Sequence, residues 1–438
     1  MDGLVNSINL PKALVASLDL SAPLRQGAVI LFSQNPITSG KQVAEMLKFW
    51  GKEGHYDAWL AQVKSSPHYE LMKASGLFIA EQNAKLSAKE EAMMSNWANN
   101  VPILGKSWNL KGGKEIRVGF DLYGRSERAY AGFLNKLRVD TFLDMSEKMA
   151  DMGLSPTTDI KEYKDWAKYV NNATGRGTGT TTFEMAAANL SLAFFSPRLI
   201  ASRLNVGLNP FFYGKMSPIA RKAAAKQTAA FFGVATTILG LAAMGLKYDD
   251  DDNTDVVLDP RSSDFAKIKI GNVRIDILAG FQQYYRTIAQ FVTGKKVNIQ
   301  TGEVKELGAQ YGGETQGDVL TNLFLNKLAP IPSLIKNTYW SSDAEKKQRE
   351  EEEGSGFINM VSGLTLPLYL QGISDLYKEC GIAGTAGLTL LSFFGGGVQN
   401  MPPKEPKASD YKTISSGKDE YQDDYKDEYA DDYEDDYK

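Results

Sequence analysis

Cysteine is almost missing. Cys380 is the only one in 438 residues, which excludes an internal disulfide and a thiolate zinc cage and removes any dependence on an oxidising compartment. Synthesis in cytoplasm is expected. Histidine is nearly as scarce, with only His55 and His68, so a Ser-His-Asp or Cys-His relay finds no imidazole paired with a nucleophile. Both read as surface or structural residues. The start, Met1-Asp2-Gly3-Leu4, has no basic segment leading into an apolar one, and Asp2 stands where a myristoylation signal needs glycine. No export or lipid address is expected there.

Acidic residues are missing from one long stretch. None occurs between Glu184 and Asp249, although Arg198, Arg203, Lys215, Arg221, Lys222, Lys226 and Lys247 do. Within it, residues 227–246 carry no charge at all and include Phe231, Phe232, Ile238, Leu239, Leu241 and Leu246. Twenty helical residues at about 1.5 Å each match the ~30 Å apolar layer of a bilayer. Basic residues before the segment and the acids of 249–252 after it would orient a span with Arg221, Lys222 and Lys226 cytoplasmic. Ala, Gly and Thr outnumber Leu and Ile, and small residues suit close helix packing in a membrane or in a core. In a water-soluble state the segment is expected to be a buried central helix. The basic residues before it are candidates for contact with lipid head groups or phosphates; the simpler reading pairs some of them with acids elsewhere.

Other chemical motifs fail on inspection. Gly175-Arg176-Gly177-Thr178-Gly179 lacks the Gly-Lys-Ser/Thr ending of a phosphate loop and follows no strand. Asp249, Asp251 and Asn253 open like a calcium loop, but Thr254 stands where the sharp turn needs glycine and Pro260 where a bidentate glutamate belongs. No catalytic residue, metal ligand or cofactor is assigned, and the chain is expected not to be an enzyme.

What the sequence does contain is helix. Hydrophobic residues make up 43% and charged residues 23%, the balance of an ordinary globular chain. Val43, Met46, Leu47 and Trp50 form one helical stripe, and Trp59, Leu60 and Val63 continue it after the Gly51 to Gly54 break. Ser87 with Glu90 reads as a capping box before Met93, Met94 and Trp97. Tyr130, Phe133, Leu134 and Leu137 mark a longer helix ending near Gly153. Asp159 with Glu162 opens another, with Ile160, Tyr163, Trp166, Ala167 and Val170 on its face, that stops at the loop 171–177. Each aromatic reads first as core packing.

Two hairpins interrupt the helices. Lys267-Ile268-Lys269-Ile270 and Val273-Arg274-Ile275-Asp276-Ile277 alternate around a Gly271-Asn272 turn, and a second hairpin is expected at 297–304, turning at Thr301-Gly302. Isolated hairpins are marginal in water, so both should pack on helices. An apolar segment follows at 319–335, then a charged helix or linker at 344–353 and an apolar, glycine-rich region at 357–398. The last twenty residues hold eleven acids and two lysines, leaving the remainder net basic. Tyr421, Tyr425, Tyr429, Tyr433 and Tyr437 recur every fourth residue there. Dense like charge favours disorder, and as a functional element the tail would be an acidic peptide that docks on a basic partner.

The fold class is therefore mainly α: an irregular multi-helix bundle with one or two short β-hairpins and a disordered acidic C-terminal tail. The organisation read is an N-terminal helical region at 1–156, a central and C-terminal helical region at 157–400 with hairpins near 267–277 and 297–304, and the tail at 401–438.

Several separated runs carry a family resemblance. Ser17-Leu18-Asp19-Leu20-Ser21-Ala22-Pro23-Leu24-Arg25-Gln26-Gly27, Ser126-Glu127-Arg128-Ala129-Tyr130, the 171–177 loop, Phe194-Phe195-Ser196-Pro197-Arg198-Leu199-Ile200-Ala201-Ser202-Arg203 and Asp259-Pro260-Arg261-Ser262-Ser263-Asp264-Phe265-Ala266-Lys267-Ile268-Lys269 are five of them. Gly280-Phe281-Gln282-Gln283, Lys327-Leu328-Ala329-Pro330 and Phe394-Gly395 extend the pattern. Together they resemble the large polyvalent protein-associated helical domain of tailed bacteriophages and prophages, over nearly everything except the tail. The resemblance implies an internal virion protein, held in the capsid interior or at the portal vertex and ejected with the DNA. Implied partners are other virion proteins in an oligomeric arrangement, the host membrane and DNA, with the host envelope as a destination after ejection. The alternative from a different class is a static capsid or portal-vertex component whose apolar helix is only core.

Overall fold

The computed structural model describes residues 20–80 except 53, 108–177 except 111–113 and 117, and the isolated positions 179, 183, 190 and 194. It further describes 196–246 except 213, 254–299, 302–309, 313–327 and 373–400. The chain divides into Met1–Asn400 and Met401–Lys438. The acidic tail, the Ser87/Glu90 capping box, the Asp249 to Asn253 run and the charged segment 344–353 all lie outside the described residues.

The first unit is mainly helical. Two short helices, α1 (Ala22–Arg25) and α2 (Ala28–Ser33), lead into α3 (Pro36–Gly51). The α3 start is specified locally: the Asn35 side chain accepts the Ile37 N–H, and Pro36 takes the first turn, where no N–H is needed. Its buried line is Gln42, Met46 and Phe49. Leu47, which the spacing placed in that stripe, is 46% exposed, because a step of about 100° per residue carries it off the line through Met46 and Phe49. Then come α4 (His55–Ser65), α5 (Tyr69–Ala74) and the long α6 (Val118–Asp151). Phe133, Leu134 and Leu137 of α6 are fully buried, as the periodicity predicts. Next is α7 (Ile160–Ala173), with Tyr163, Trp166, Ala167 and Val170 buried.

The remaining helices among the described residues are α8 (Pro197–Leu208), α9 (Pro218–Leu246), α10 (Phe281–Thr293), α11 (Gln316–Leu325) and α12 (Ile373–Phe393), the last kinked at Gly381. Thr315 and Asp318 form a reciprocal capping box at the start of α11. One continuous core joins α2, α3, α6, α7, α9 and Phe281.

The expected hairpin is present. β4 (Lys267–Ile270) pairs with β5 (Val273–Asp276) around Gly271-Asn272, in the register Ile270 to Val273. It is the centre of a four-stranded antiparallel sheet rather than a lone hairpin, flanked by β3 (Thr254–Val256) and β8 (Gly397–Asn400). Val273 and Ile275 pack on Leu376, Leu388 and Leu391 of α12, which supplies the helical support that a hairpin needs. The second hairpin is displaced outward: β6 (Lys295–Val297) pairs with β7 (Val304–Glu306) in the register Val297 to Val304, and Thr301 of the expected turn lies outside the described residues. A third two-stranded pair, β1 (Trp108–Leu110) with β2 (Lys114–Ile116), was not anticipated.

Candidate functional site

The apolar segment is the C-terminal two-thirds of α9, a helix of 29 residues. Its start is held by acids from α7. Glu162 accepts the N–H of Ala220 at 2.7 Å and of Ile219 at 3.3 Å, and Asp165 accepts the N–H of Ser217 at 2.7 Å. These are helix-start donors with no intrahelical partner, and a carboxylate there also meets the positive end of the helix dipole. Burial would raise the Asp165 carboxyl, but hydrogen bonds from Lys161 and Ser217 hold it below the ordinary range. The start of α9 is thus capped on its backbone by acids from another helix, one of which, Asp165, also pairs with Lys161 of its own helix.

The helix has two apolar sides. Ala224, Phe231, Ala235 and Leu239 are buried, with Phe231 stacked on Phe32 of α2 at 5.9 Å and Thr228 hydrogen-bonded to Tyr169 of α7 at 2.9 Å. Phe232 is partly buried between Phe281 and Tyr285 of α10. On the other side Val234, Ile238, Leu241 and Met244 are exposed, Leu241 to 60% and Met244 to 59%. The expectation of a wholly buried helix is therefore corrected. A 3.6-residue period gives a helix packed on one side only half its surface to bury, and this one is apolar all round. The side chain of Leu246 lies outside the described residues. Pro218–Met244 is long and apolar enough to cross a membrane by length and composition.

The candidate basic contacts separate into two groups. Lys215, Lys222 and Lys226 are exposed and Arg221 is half-buried. Lys222 and Lys226 share the outward face with Gly233, Thr237 and Met244 at about 100° per residue. Phe211 and Phe212, in the loop just before α9, are also more than half exposed. Arg198 and Arg203, in contrast, are buried. Arg198 donates to the Gly177 carbonyl at 3.3 Å, and Arg203 donates to the carbonyls of Ala279 and Arg25 while lying 4.7 Å above the Phe281 ring. Burial lowers the Arg203 guanidinium to about 10. These two arginines hold chain segments together and are withdrawn from the phosphate-contact set.

Arg203 marks a junction of segments distant in sequence. Leu24 N–H bonds to the Phe394 carbonyl at 3.0 Å, Gly177 N–H to the Arg198 carbonyl at 3.0 Å, and Lys327 to the Gln283 side chain at 2.5 Å. A Cβ on Gly177 would stand 2.1 Å from the Arg198 oxygen, and one on Gly395 2.2 Å from that of Ser21. Gly177 of the apparent phosphate loop thus serves backbone approach, and Arg176 stacks 3.4 Å from the centre of the Phe78 ring. Burial, with Arg203 and Arg286 nearby, lowers the Lys327 ammonium to about 8.

An apolar groove of about 730 Å³ lies between α9 and α10, floored by Leu239, Phe265, Ala266 and Leu278 and rimmed by Leu258, Ile288 and Val292; its α9 wall, Phe232, Thr236 and Ala243, lies nearly half a turn round the helix from Ile238 and Leu241. Val292 is 75% exposed and Leu258 65%. Sequence reading missed it, because its floor comes from the β3–β4 connection and the turn before α10. Among the described residues no cluster of three or more His, Cys, Asp or Glu is placed to hold a metal. His55 bonds to Glu45 at 2.7 Å and packs on Phe49.

No protein-family model, curated protein or solved structure matches the chain.

Proposed function

We propose that the chain is an internal virion protein of a tailed phage that binds a membrane surface through the outward face of α9 during genome delivery. The observation that carries the membrane half is the exposed line Val234, Ile238, Leu241 and Met244 on a helix whose opposite side is core. A contiguous apolar surface on a folded protein marks a partner or membrane site. Exposed Lys215, Lys222 and Lys226 with Phe211 and Phe212 at its N-terminal end suit the head-group layer, where cations and aromatics together are stable.

The mode is interfacial. A full span would strip Phe231, Ala235 and Leu239 from α2 and α7, at a cost of about 1.5–3 kcal/mol for each large apolar side chain. Lying in the interface keeps that core and covers only the outward face. The phage half rests on the family resemblance of the separated sequence runs alone. DNA is the competing ligand for the lysines, and its signature is a steep loss of affinity with salt.

Flotation of the purified chain with anionic vesicles tests the membrane half. Proteomics of particles before and after DNA release tests the virion half: an ejected protein disappears from emptied particles. The static reading, favoured by the buried side of α9, predicts stoichiometric retention instead.

A further inference from the structure

We infer that the groove between α9 and α10 is a binding site for one phospholipid acyl chain. The inference rests on the membrane reading for the source of the chain.

Chemistry selects the occupant. Among the described residues that line the groove none is charged, and their polar side-chain groups are the hydroxyls of Thr236, Tyr285 and Thr293. One of these is already committed, since the Thr293 hydroxyl donates to the Ala289 carbonyl at 2.6 Å. A polar ligand would lose its hydration without replacement, whereas methylene groups gain about 0.8 kcal/mol each on burial. Volume agrees, since 730 Å³ falls within the ~300–1,000 Å³ of small-molecule sites.

Length narrows the choice further. The groove follows α9 from Phe232 to Ala243, eleven residue steps and roughly 16 Å of helix. One leaflet of a ~30 Å hydrocarbon layer is about 15 Å deep, so a single chain of one leaflet fills it from end to end. The rim residues Leu258, Ile288 and Val292 are exposed while Leu239, Ala266 and Leu278 at the floor are buried, so the slot opens sideways and admits a chain without unfolding. Charge sets the direction. Lys226 and Lys222 lie one to three turns before Phe232, and an anionic head group is held at that end.

The test separates groove from surface by using lysophosphatidylglycerol below its micellar concentration, with no bilayer present. Titration of the full chain should show saturable binding near one molecule per chain. Gly240→Leu/Ala243→Phe fills the slot while leaving the outward face apolar, and should bind on the order of tenfold more weakly or worse. A Cβ at Gly240 meets open space, so the helix tolerates the change. Val292→Asp, at an exposed rim position, should weaken binding without a packing cost and covers the case in which the filled variant misfolds. Ile238→Asp/Leu241→Asp should still bind the lysolipid while losing vesicle association. Absence of lysolipid binding by wild type, or undiminished binding by both groove variants, overturns the groove. Vesicle flotation without lysolipid binding overturns it and leaves the surface reading standing; lysolipid binding without flotation does the reverse.

Discussion

The carboxylate of Glu162 in α7 accepts the backbone N–H of Ala220 in α9 at 2.7 Å, across 58 positions of sequence. The longest apolar helix of the described fold thus begins on an acid that belongs to another helix. Capping interactions of this kind contribute about 0.5–2 kcal/mol. Glu162→Ala should cost about that much in denaturant unfolding and raise amide exchange at Ile219 and Ala220. Glu162→Gln, which keeps one acceptor oxygen, should cost less than the alanine variant.

Acid should loosen the same junction. The Asp165 carboxyl titrates below its ordinary value of 3.8 because Lys161 and Ser217 donate to it. A depressed folded-state pKa contributes stability that is complete above the unfolded value and lost as pH falls through the folded one. Wild type should therefore lose stability below about pH 4 more steeply than Asp165→Asn, measured as Tm against pH.

Lys327 should produce a slope at the alkaline end. Its folded pKa is about 8 against an ordinary 10.5, so the unfolded chain binds more protons between those values and stability rises with pH across that window. Below pH 8 the contribution is absent, because both states carry the proton and the native one bears it at a cost. Lys327→Met should be more stable than wild type at pH 7, and the difference should shrink towards pH 10.5.

The glycines divide by surroundings. Gly177→Ala drives a methyl into the Arg198 carbonyl and the Ser202 nitrogen, both backbone atoms, and should cost on the order of 3 kcal/mol. Gly233→Ala, on the outward face of α9 with nothing near its Cβ, should stabilise by about 0.5–1 kcal/mol. A pair of unfolding curves checks both.

Local patterns were legible where the signal was local. The spacing of Phe133, Leu134 and Leu137, the Tyr163 to Val170 face and the Gly271-Asn272 turn each depend on neighbours within a few residues, and each stands in the fold as read. What escaped was decided across the chain. Asp159 and Glu162 have the spacing of a cap for their own helix, yet Glu162 caps α9, and Asp159 bonds to Ser155 and Thr158. Arg198 and Arg203 look like solvent-facing cations in any local window; the carbonyls that bury them come from Gly177, Arg25 and Ala279. The outward side of α9 was hidden because a segment apolar all round has no periodicity to say which half is core.

Vesicle flotation of the full chain, comparing wild type with Ile238→Asp/Leu241→Asp, reaches the central claim most directly. Leu241 is 60% exposed and Ile238 37%, so the charges should lower Tm much less than Leu239→Asp, which would break the core. On anionic vesicles wild type should float and the double variant should remain at the bottom of the gradient. Equal failure of both proteins to float, at neutral and at low pH, would contradict the account.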